Sequence, residues 1–405
     1  MSNTVGSHIV NEVISRIEDN VDRLLNLLRA LIQVDTCNPP GDYRRISEIV
    51  ADEFLSLGLN VQPLQGQDGK PNIIGYLPGS QGNKTLLVSA HMDVVPVGKA
   101  EDWAVDPFGG EIIEGKIYGR GSADTKCGLA CQVEALRAIR SAGVELTENL
   151  LLGATVDDET AGTMGMKYVI EKGLRSVGWP RPDRVLIGEP SDLAVVGAWK
   201  GRIWYEITLG GIAAHGGAPE HGVNAIDKMI SLINEIKKMD LKSHPLTGHD
   251  SINIGTITGG TKINVVADEC KATFDIRYGP PRKASEVDSF VRGVIKDLEK
   301  KDRHFRVRSV SVWDFRDPVW IDPEDDFVKC LLSCVREVTA REPTFTGSLS
   351  AGDLHHCFMN GIPGAWIGPG KMEVAHKPNE YVEISKLVAA TKIYALAILK
   401  QCSKV

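Results

Sequence analysis

The sequence predicts an α/β protein in which a mostly parallel sheet carries helices on both faces and a ferredoxin-like α+β domain is inserted. Three observations predict this fold class. With 405 residues, the chain is too long for one ordinary hydrophobic core. Short apolar runs alternate with helical stretches up to residue 197, which is typical of a parallel sheet. From residue 198 onwards the strands alternate apolar and polar side chains, as in a sheet with one solvated face.

The larger domain begins with helices. Apolar residues recur with helical spacing over residues 12–32, and a second helix is expected at about 44–57, after the loop Asn38-Pro39-Pro40-Gly41. Another amphipathic helix fits residues 125–142. The short apolar runs predict buried strands at residues 72–76, 85–90, 149–156, 184–188 and 365–368.

The inserted domain has its own order of elements. Strands and helices are predicted in the order β-α-β-β-α-β, at residues 203–209, 223–239, 251–258, 268–277, 285–299 and 304–310. This order is that of the split-βαβ, ferredoxin-like motif. We therefore predict the first part of the larger domain at residues 1–197 and the inserted domain at 198–312. The second part of the larger domain follows at 313–405 and includes a helix at about 325–340.

The composition argues against several classes of protein. The net charge of −7 disfavours broad electrostatic binding to nucleic acid or to an anionic membrane. Residues 1–10 contain no apolar core of a signal peptide, and no run approaches the roughly 20 apolar residues of a membrane span. The eight cysteines are scattered without a CxxC motif, so we expect reduced thiols and a cytoplasmic location.

Acidic and histidine side chains follow the predicted strands, close to the point where each strand ends. They are His91, Asp93, Asp124, Asp157, Asp158, Glu159, Glu189 and His376. Because open parallel sheets bind ligands beyond the carboxyl ends of their strands, we expect these side chains to meet at one edge. Taken alone, each residue also has an ordinary structural explanation; Asp124, for example, could cap a helix. Their joint placement after several strands favours a shared functional site.

Two histidines and several carboxylates are suited to binding two divalent metal ions. Imidazole suits zinc, cobalt or nickel, and carboxylate oxygen also suits manganese. One carboxylate can bridge two metals, and a water molecule between the metals has a lowered pKa. A further carboxylate that binds no metal must take the proton of that water. Asp158, beside Glu159, is available for this step.

A series of motifs runs along nearly the whole chain. They are Ser89-Ala90-His91-Met92-Asp93-Val94-Val95-Pro96, Trp103 with Asp106-Pro107-Phe108, Gly119-Arg120-Gly121-Ser122-Ala123-Asp124-Thr125-Lys126, Thr155-Val156-Asp157-Asp158-Glu159, Gly188-Glu189-Pro190-Ser191, Ala214-His215, Asn264-Val265-Val266, Asp275-Ile276-Arg277, and His376 with Asn379-Glu380. In order and spacing, these segments resemble the M20 family of metallopeptidases and deacylases. That family includes acetylornithine deacetylase, succinyl-diaminopimelate desuccinylase, aminoacylase and glutamate carboxypeptidase.

The resemblance implies a metal-binding role for five residues. His91 and Glu189 would bind one metal ion, Glu159 and His376 would bind the other, and Asp124 would bridge the two. Zinc is the expected metal, with cobalt or manganese as alternatives. The resemblance also implies a two-metal amidohydrolase that cleaves the amide bond of an N-acylated amino acid. A dipeptidase, a carboxypeptidase or a hydrolase of another C–N bond is the alternative within the same fold.

Further roles follow from the same resemblance. Asp93 would orient His91, and Asp158 falls at the position of the general base. His215 matches a histidine that helps to stabilise the oxyanion, often in the site of the partner subunit. Asn264 and Arg277 match substrate-binding positions, although Arg277 could instead form only a structural ion pair. The inserted domain would serve as a lid and as the surface of a homodimer.

The sequence departs from the family at two places near the expected site. The base position usually holds glutamate, and the shorter Asp158 must approach the water differently, although it can still take a proton. In the loop that contains Asp353, His355 stands where many relatives have arginine, and we expect it to line the substrate pocket. The change at Asp158 is the one feature that favours a non-catalytic ligand-binding relative. A structural zinc protein would need cysteine-rich sites, which the sequence lacks.

Overall fold

The computed structural model describes residues 6–160, 162–349 and 352–403. Residues 1–5 of the polar N-terminus, and Ser350 and Ala351 in the loop before His355, lie outside the described residues. The chain divides into two compact units. The first comprises the chain up to Gly197, Ile321–Thr346 and the chain from Gly352 onwards, and the second comprises Ala198–Trp320 with a short segment that starts at Gly347.

A mixed sheet forms the centre of the first unit. Its middle strands are parallel and lie in the order Asn149–Thr155, Thr85–His91, Arg184–Ile187 and Gly364–Trp366. Antiparallel strands extend it on both sides, with Pro71–Leu77 and Asn60–Gln65 at one side and Val195–Trp199 at the other. Phe345–Ser348 pairs with Val195–Trp199, and a separate small sheet contains Ile112–Ile113, Lys116–Tyr118 and Tyr381–Glu383. The strands Thr85–His91 and Asn149–Thr155 are buried throughout, which accounts for their continuous apolar sequence.

Helices cover this sheet. The longer ones are Ser7–Glu18, Val21–Ile32, Arg44–Ser56, Lys126–Ser141, Asp326–Thr339 and Ile384–Cys402, and shorter ones are Met166–Tyr168, Leu174–Ser176 and Leu354–Met359. Lys126–Ser141 packs against the strand Thr85–His91 and against Ile384–Cys402. Arg44–Ser56 packs against Pro71–Leu77, which lies next to the edge strand Asn60–Gln65. No helix among the described residues is both long enough and apolar enough to cross a membrane.

Two helices differ from the sequence-based prediction. The helix expected over residues 12–32 is interrupted at Asp19 and Asn20, which end one helix and begin the next. Both side chains compete for backbone hydrogen bonds and therefore favour turns over helix interiors. The helix Ile384–Cys402 was not predicted, because most of its side chains are buried and its sequence shows no clear polar face.

The second unit contains a four-stranded antiparallel sheet and two helices. Along the chain its main elements follow in the order β-α-β-β-α-β, at Gly201–Gly210, Ala225–Ile236, Ser251–Gly259, Glu269–Tyr278, Ala284–Lys301 and Arg306–Arg316. In the sheet the strand Gly201–Gly210 lies between Glu269–Tyr278 and Arg306–Arg316, which is the ferredoxin-like arrangement. A small hairpin pairs Ser243–His244 with Gly248–His249. The boundary predicted at residue 312 falls inside the last strand, because this strand is longer than its apolar pattern indicates.

Candidate metal centre

Three parallel strands bring the candidate residues to one edge of the sheet. His91 is the last residue of its strand and lies opposite Thr155 in the neighbouring strand. On the other side, Ser89 is opposite Ile187, the last residue of its strand. The segments that follow these strands therefore leave the sheet at one level, and they carry Asp93, Asp158, Glu159 and Glu189. This is the edge where open parallel sheets bind ligands.

The five residues predicted to bind metal lie in one cluster. His91 Nε2 is 3.3 Å from Asp124 Oδ1 and 3.6 Å from Glu189 Oε1. His376 Nε2 is 3.2 Å from Asp124 Oδ2 and 3.2 Å from Glu159 Oε1. Asp124 therefore directs one carboxylate oxygen to each histidine. This division of its oxygens suits a carboxylate that bridges two metal ions with one oxygen on each.

The spacing of these atoms fits a metal-binding site. Two ligand atoms on a tetrahedral zinc ion are separated by about 3.3–3.6 Å, given bond lengths of about 2.0–2.2 Å. Within the described parts of the chain, one buried oxygen of Asp124, of Glu159 and of Glu189 accepts no hydrogen bond, although each lies near a histidine nitrogen. Buried carboxylate oxygens without a donor are costly unless a cation binds them.

The pKa values of the clustered side chains also indicate a cation-binding site. Burial, and then the nearby Asp124 carboxylate, raise the pKa of Glu159 to about 7. Burial likewise raises the pKa of Glu189 well above its usual value. The contacts with Asp124 and Glu159 raise the pKa of His376 to about 10. Burial alone would lower the pKa of His91, but the carboxylates of Glu189 and Asp124 outweigh burial and raise it. The cluster therefore favours bound positive charge, and divalent cations would supply that charge in place of protons.

Asp93 connects two of the segments that form the cluster. It is fully buried, and its backbone oxygen lies 2.9 Å from His91 Nδ1. Its carboxylate accepts hydrogen bonds from the backbone N–H groups of Asp158 and Glu159, at 3.3 and 3.2 Å, and from Asn38 Nδ2 at 3.0 Å. Burial alone would raise the pKa of Asp93, but the adjacent His91 and the Asn38 amide outweigh burial and lower it. A charged Asp93 can thus orient His91 and hold the Asp158-Glu159 backbone.

Asp158 lies beside the cluster and is only partly buried. One of its oxygens, one of Glu189 and a ring nitrogen of His91 all lie within 4.8 Å of one another. The preceding residue, Asp157, has a left-handed backbone with φ of 70°, and its side chain accepts the N–H of Met164 at 3.1 Å. Such a backbone persists where surrounding contacts over-determine it. This turn directs Asp158 and Glu159 towards His91.

Asp353 is a buried carboxylate near Asp158 to which the sequence analysis gave no role. Burial and the neighbouring Asp158 carboxylate raise the pKa of Asp353 well above its usual value. Thr155 Oγ1 donates a hydrogen bond to Asp353 Oδ2 at 2.7 Å. Its neighbour Gly352 also lies beside the cluster, since an added Cβ would be in ordinary van der Waals contact with Glu189 Oε1, at 3.5 Å. The signal available in the sequence was an aspartate in the loop before His355, 195 residues after Asp158 (353 minus 158).

His355 lies on the short helix Leu354–Met359, which starts directly after Asp353. Its side chain is buried, and its ring meets that of His356 edge to face with centroids 5.6 Å apart. His356 also limits the space around Gly162, where an added Cβ would lie 2.7 Å from His356 Nε2. His356 therefore packs against the segment that follows Glu159 at Gly162. A role for His355 towards substrate stays a prediction.

Three other predicted residues belong to the second unit, where each has its own surroundings. His215 and Asn264 are exposed and lie on paired segments, since His215 forms a backbone bridge with Val265. The N–H of Gly217 donates to His215 Nδ1 at 3.0 Å. Arg277 Nε lies 3.0 Å from the Asp275 carboxylate, and its Nη1 donates to Leu349 O at 3.2 Å. The roles of His215, Asn264 and Arg277 towards an oxyanion or substrate stay predictions.

The chain is similar to known proteins along nearly its whole length. Residues 87–400 match the family described as peptidase family M20/M25/M40. The N-formyl-4-amino-5-aminomethyl-2-methylpyrimidine deformylase of Halalkalibacterium halodurans is 27% identical, covering 97% of this chain and 98% of that protein. The acetylornithine deacetylase of Proteus mirabilis is 28% identical, covering 86% and 87% of the two chains. Among solved structures, aminopeptidase PepT from Bacillus cereus ATCC 10987 aligns with a TM-score of 0.78 at 23% identity, covering 94% and 98%.

Proposed function

The chain belongs to peptidase family M20/M25/M40 and is a hydrolase of amide or peptide bonds, and from this premise we propose that it removes the acyl group from a small N-acylated amine. An N-acyl amino acid, as in acetylornithine deacetylase or succinyl-diaminopimelate desuccinylase, is the substrate class we favour. The observation that carries the proposal is the division of the Asp124 oxygens between His91 and His376. The deformylase and deacetylase names of two relatives support a short acyl group.

We assign two divalent metal ions to the cluster, with zinc as the first candidate and cobalt or manganese as alternatives. His91 and Glu189 would hold one ion, Glu159 and His376 would hold the other, and Asp124 would be shared. When bound, the ions would polarise the scissile carbonyl and lower the pKa of the attacking water. The four ligands whose pKa values are raised would have to lose their protons on binding, which the carboxylate-rich surroundings oppose until the metal arrives; they are His91, Glu159, Glu189 and His376.

Asp158 is our candidate for proton transfer. It would take a proton from water as the oxygen attacks the acyl carbon, and it would then give that proton to the nitrogen as the C–N bond breaks. Its partly buried position beside His91 and Glu189 supports this role. Aspartate is one methylene shorter than the glutamate usual in the family. The hydrogen bond from its own backbone N–H to Asp93 fixes the segment that carries Asp158 beside the cluster, which supports this role.

The remaining assignments concern the second unit and the substrate. We propose that His215 stabilises the developing oxyanion and that Asn264 and Arg277 bind the substrate, with Arg277 directed to a carboxylate. His355 would line the pocket that binds either the acyl group or the amine portion of the substrate. We also propose that the second unit acts as a lid and as the surface of a homodimer, and that the protein works in the cytoplasm.

A substrate panel tests this proposal. Metal-free protein would be reconstituted with zinc, cobalt or manganese and incubated with N-formyl, N-acetyl and N-succinyl amino acids and with dipeptides. We expect amine release from one acyl class, loss of release with a chelator and its return with metal. Two metal ions per chain should be counted in parallel by elemental analysis. No hydrolysis of any N-acyl substrate by protein that holds two metal ions would contradict the proposed substrate class.

A further inference from the structure

We propose that Glu380 is a positioning residue that holds the Asp124 loop in its metal-binding conformation before any metal arrives. The inference rests on the proposed dinuclear site. Glu380 is neither a candidate ligand nor a candidate base, and its side chain is completely buried. Its position, four residues after His376, places it on the segment that supplies one of the two histidines.

The carboxylate of Glu380 binds the backbone of the Asp124 loop. Its Oε1 accepts hydrogen bonds from the N–H groups of Gly121, Ala123 and Asp124 at 3.0, 2.8 and 3.0 Å. Three N–H groups that converge on one oxygen define the path of the loop closely. The last of them belongs to Asp124 itself, so the position of the shared ligand depends directly on this contact.

The second oxygen of Glu380 is compensated by a buried cation. Arg120 Nη1 pairs with Glu380 Oε2, and the arginine side chain is also almost completely buried. Arg120 donates a further hydrogen bond to Lys377 O at 3.3 Å, and its guanidinium lies 5.3 Å from the centre of the Trp103 ring. A buried ion pair of this kind contributes little net stability compared with an apolar pair. A role in geometry therefore accounts for the pair better than a role in stability.

The contact links ligands that are far apart in the sequence. The Asp124 loop is bound at its amide groups, and the His376 segment is bound through Glu380 and through Lys377. Because Asp124 would contribute an oxygen to both metal ions, a displaced loop should weaken both sites. Loss of His376 should instead weaken mainly the site that it shares with Glu159. The two perturbations are therefore distinguishable.

The decisive variant is Glu380→Gln, with Glu383→Gln as its matched control. Glutamine keeps the size of the side chain and one oxygen, but its NH2 group must face either Arg120 or the loop amides. Glu383 lies three residues further on and forms an ion pair at the surface with Lys371 at 2.6 Å. We expect Glu380→Gln to lower the affinity for both metal ions about 10- to 100-fold. We expect Glu383→Gln to leave it unchanged.

Metal titration of the wild type separates the two proposals. If the wild type binds no metal, the dinuclear site and the proposed function fail together with this inference. If the wild type and Glu380→Gln bind two ions equally tightly, only the role of Glu380 is overturned. A lower melting temperature in Glu380→Gln with unchanged metal affinity would likewise show a merely structural role.

Hydrogen exchange in the wild type gives a measurement that does not depend on folding of a variant. In metal-free protein, the amides of Gly121, Ala123 and Asp124 should already exchange slowly, because Glu380 accepts their hydrogens. Free exchange of these amides without metal, followed by protection on metal binding, would show that the metal itself orders the loop and would overturn the inference.

Discussion

Replacement of Asp93 by asparagine should both destabilise the protein and weaken metal binding. Oδ1 of Asp93 accepts the N–H of Asp158 and lies 3.5 Å from His91 Nδ1. Oδ2 accepts the N–H of Glu159 and the side-chain amide of Asn38. Each oxygen therefore faces two nitrogen atoms. An asparagine NH2 group placed at either position would face donors and could accept from neither of them.

The size of the effect follows from these contacts. In the less costly orientation the NH2 group replaces Oδ1 and loses one hydrogen bond, from the N–H of Asp158, and a hydrogen bond to a charged group contributes about 1.5–3 kcal/mol. We therefore expect the free energy of unfolding to fall by about 1.5–3 kcal/mol. Because Asp93 also orients His91, the metal affinity of the folded variant should fall about 10- to 100-fold. The partners of Asp93 are all buried or partly buried, so solvent offers little compensation.

Two measurements check this prediction. Urea unfolding of metal-free protein gives the change in stability, and a chelator-competition titration gives the metal affinity. Asp68→Asn, on an exposed turn, serves as the control for an aspartate-to-asparagine change and should alter neither quantity. A variant Asp93→Asn with wild-type metal affinity would refute the view that Asp93 orients His91. A stability loss below about 1 kcal/mol would refute the hydrogen-bond argument.

Three further predictions concern the base, the pH dependence and the packing under the site. Asp158→Asn should retain two metal ions while kcat falls about 10²- to 10⁴-fold; activity within tenfold of the wild type would rule out its role in proton transfer. Metal affinity should fall by at least tenfold per pH unit below about pH 7, because Glu159, whose pKa burial raises to about 7, must lose a proton to bind, as must His376, whose pKa is raised to about 10; titrations at constant ionic strength check this, and a flat profile contradicts it. Gly128→Ala should destabilise the protein by about 1–3 kcal/mol, since its Cβ would lie 2.4 Å from Gly188 O, whereas Gly293→Ala, with open space around it, should stabilise by about 0.5–1 kcal/mol. Equal effects of the two glycine substitutions in thermal unfolding would refute the packing argument.

Local patterns in the sequence were sufficient for the fold class and for a group of candidate site residues, whereas the division of that group into metal ligands and base came from the resemblance to the M20 family. The continuous apolar runs before His91 and before Asp157 indicate strands buried on both faces, and the structure has such strands at Thr85–His91 and Asn149–Thr155. Since parallel strands end at one edge, the residues that follow them were expected to lie together. His91, Glu159 and Glu189 could be selected in this way, because each stands within a few residues of its strand.

Other features depend on contacts between distant parts of the chain. Glu380 lies 256 residues after Asp124, and no local pattern indicates that its carboxylate accepts three amides of the Asp124 loop. Asp353 is similarly distant from Thr155 and Asp158, its neighbours in the fold. The final helix Ile384–Cys402 lacks a polar stripe because it is enclosed by other helices. The periodicity of the elements and their order along the chain, which arise from interactions between near neighbours and from simple burial, could be determined from the sequence alone. The partners of buried charges were decided only by the tertiary structure, since they depend on which segments the packed core brings within hydrogen-bonding distance.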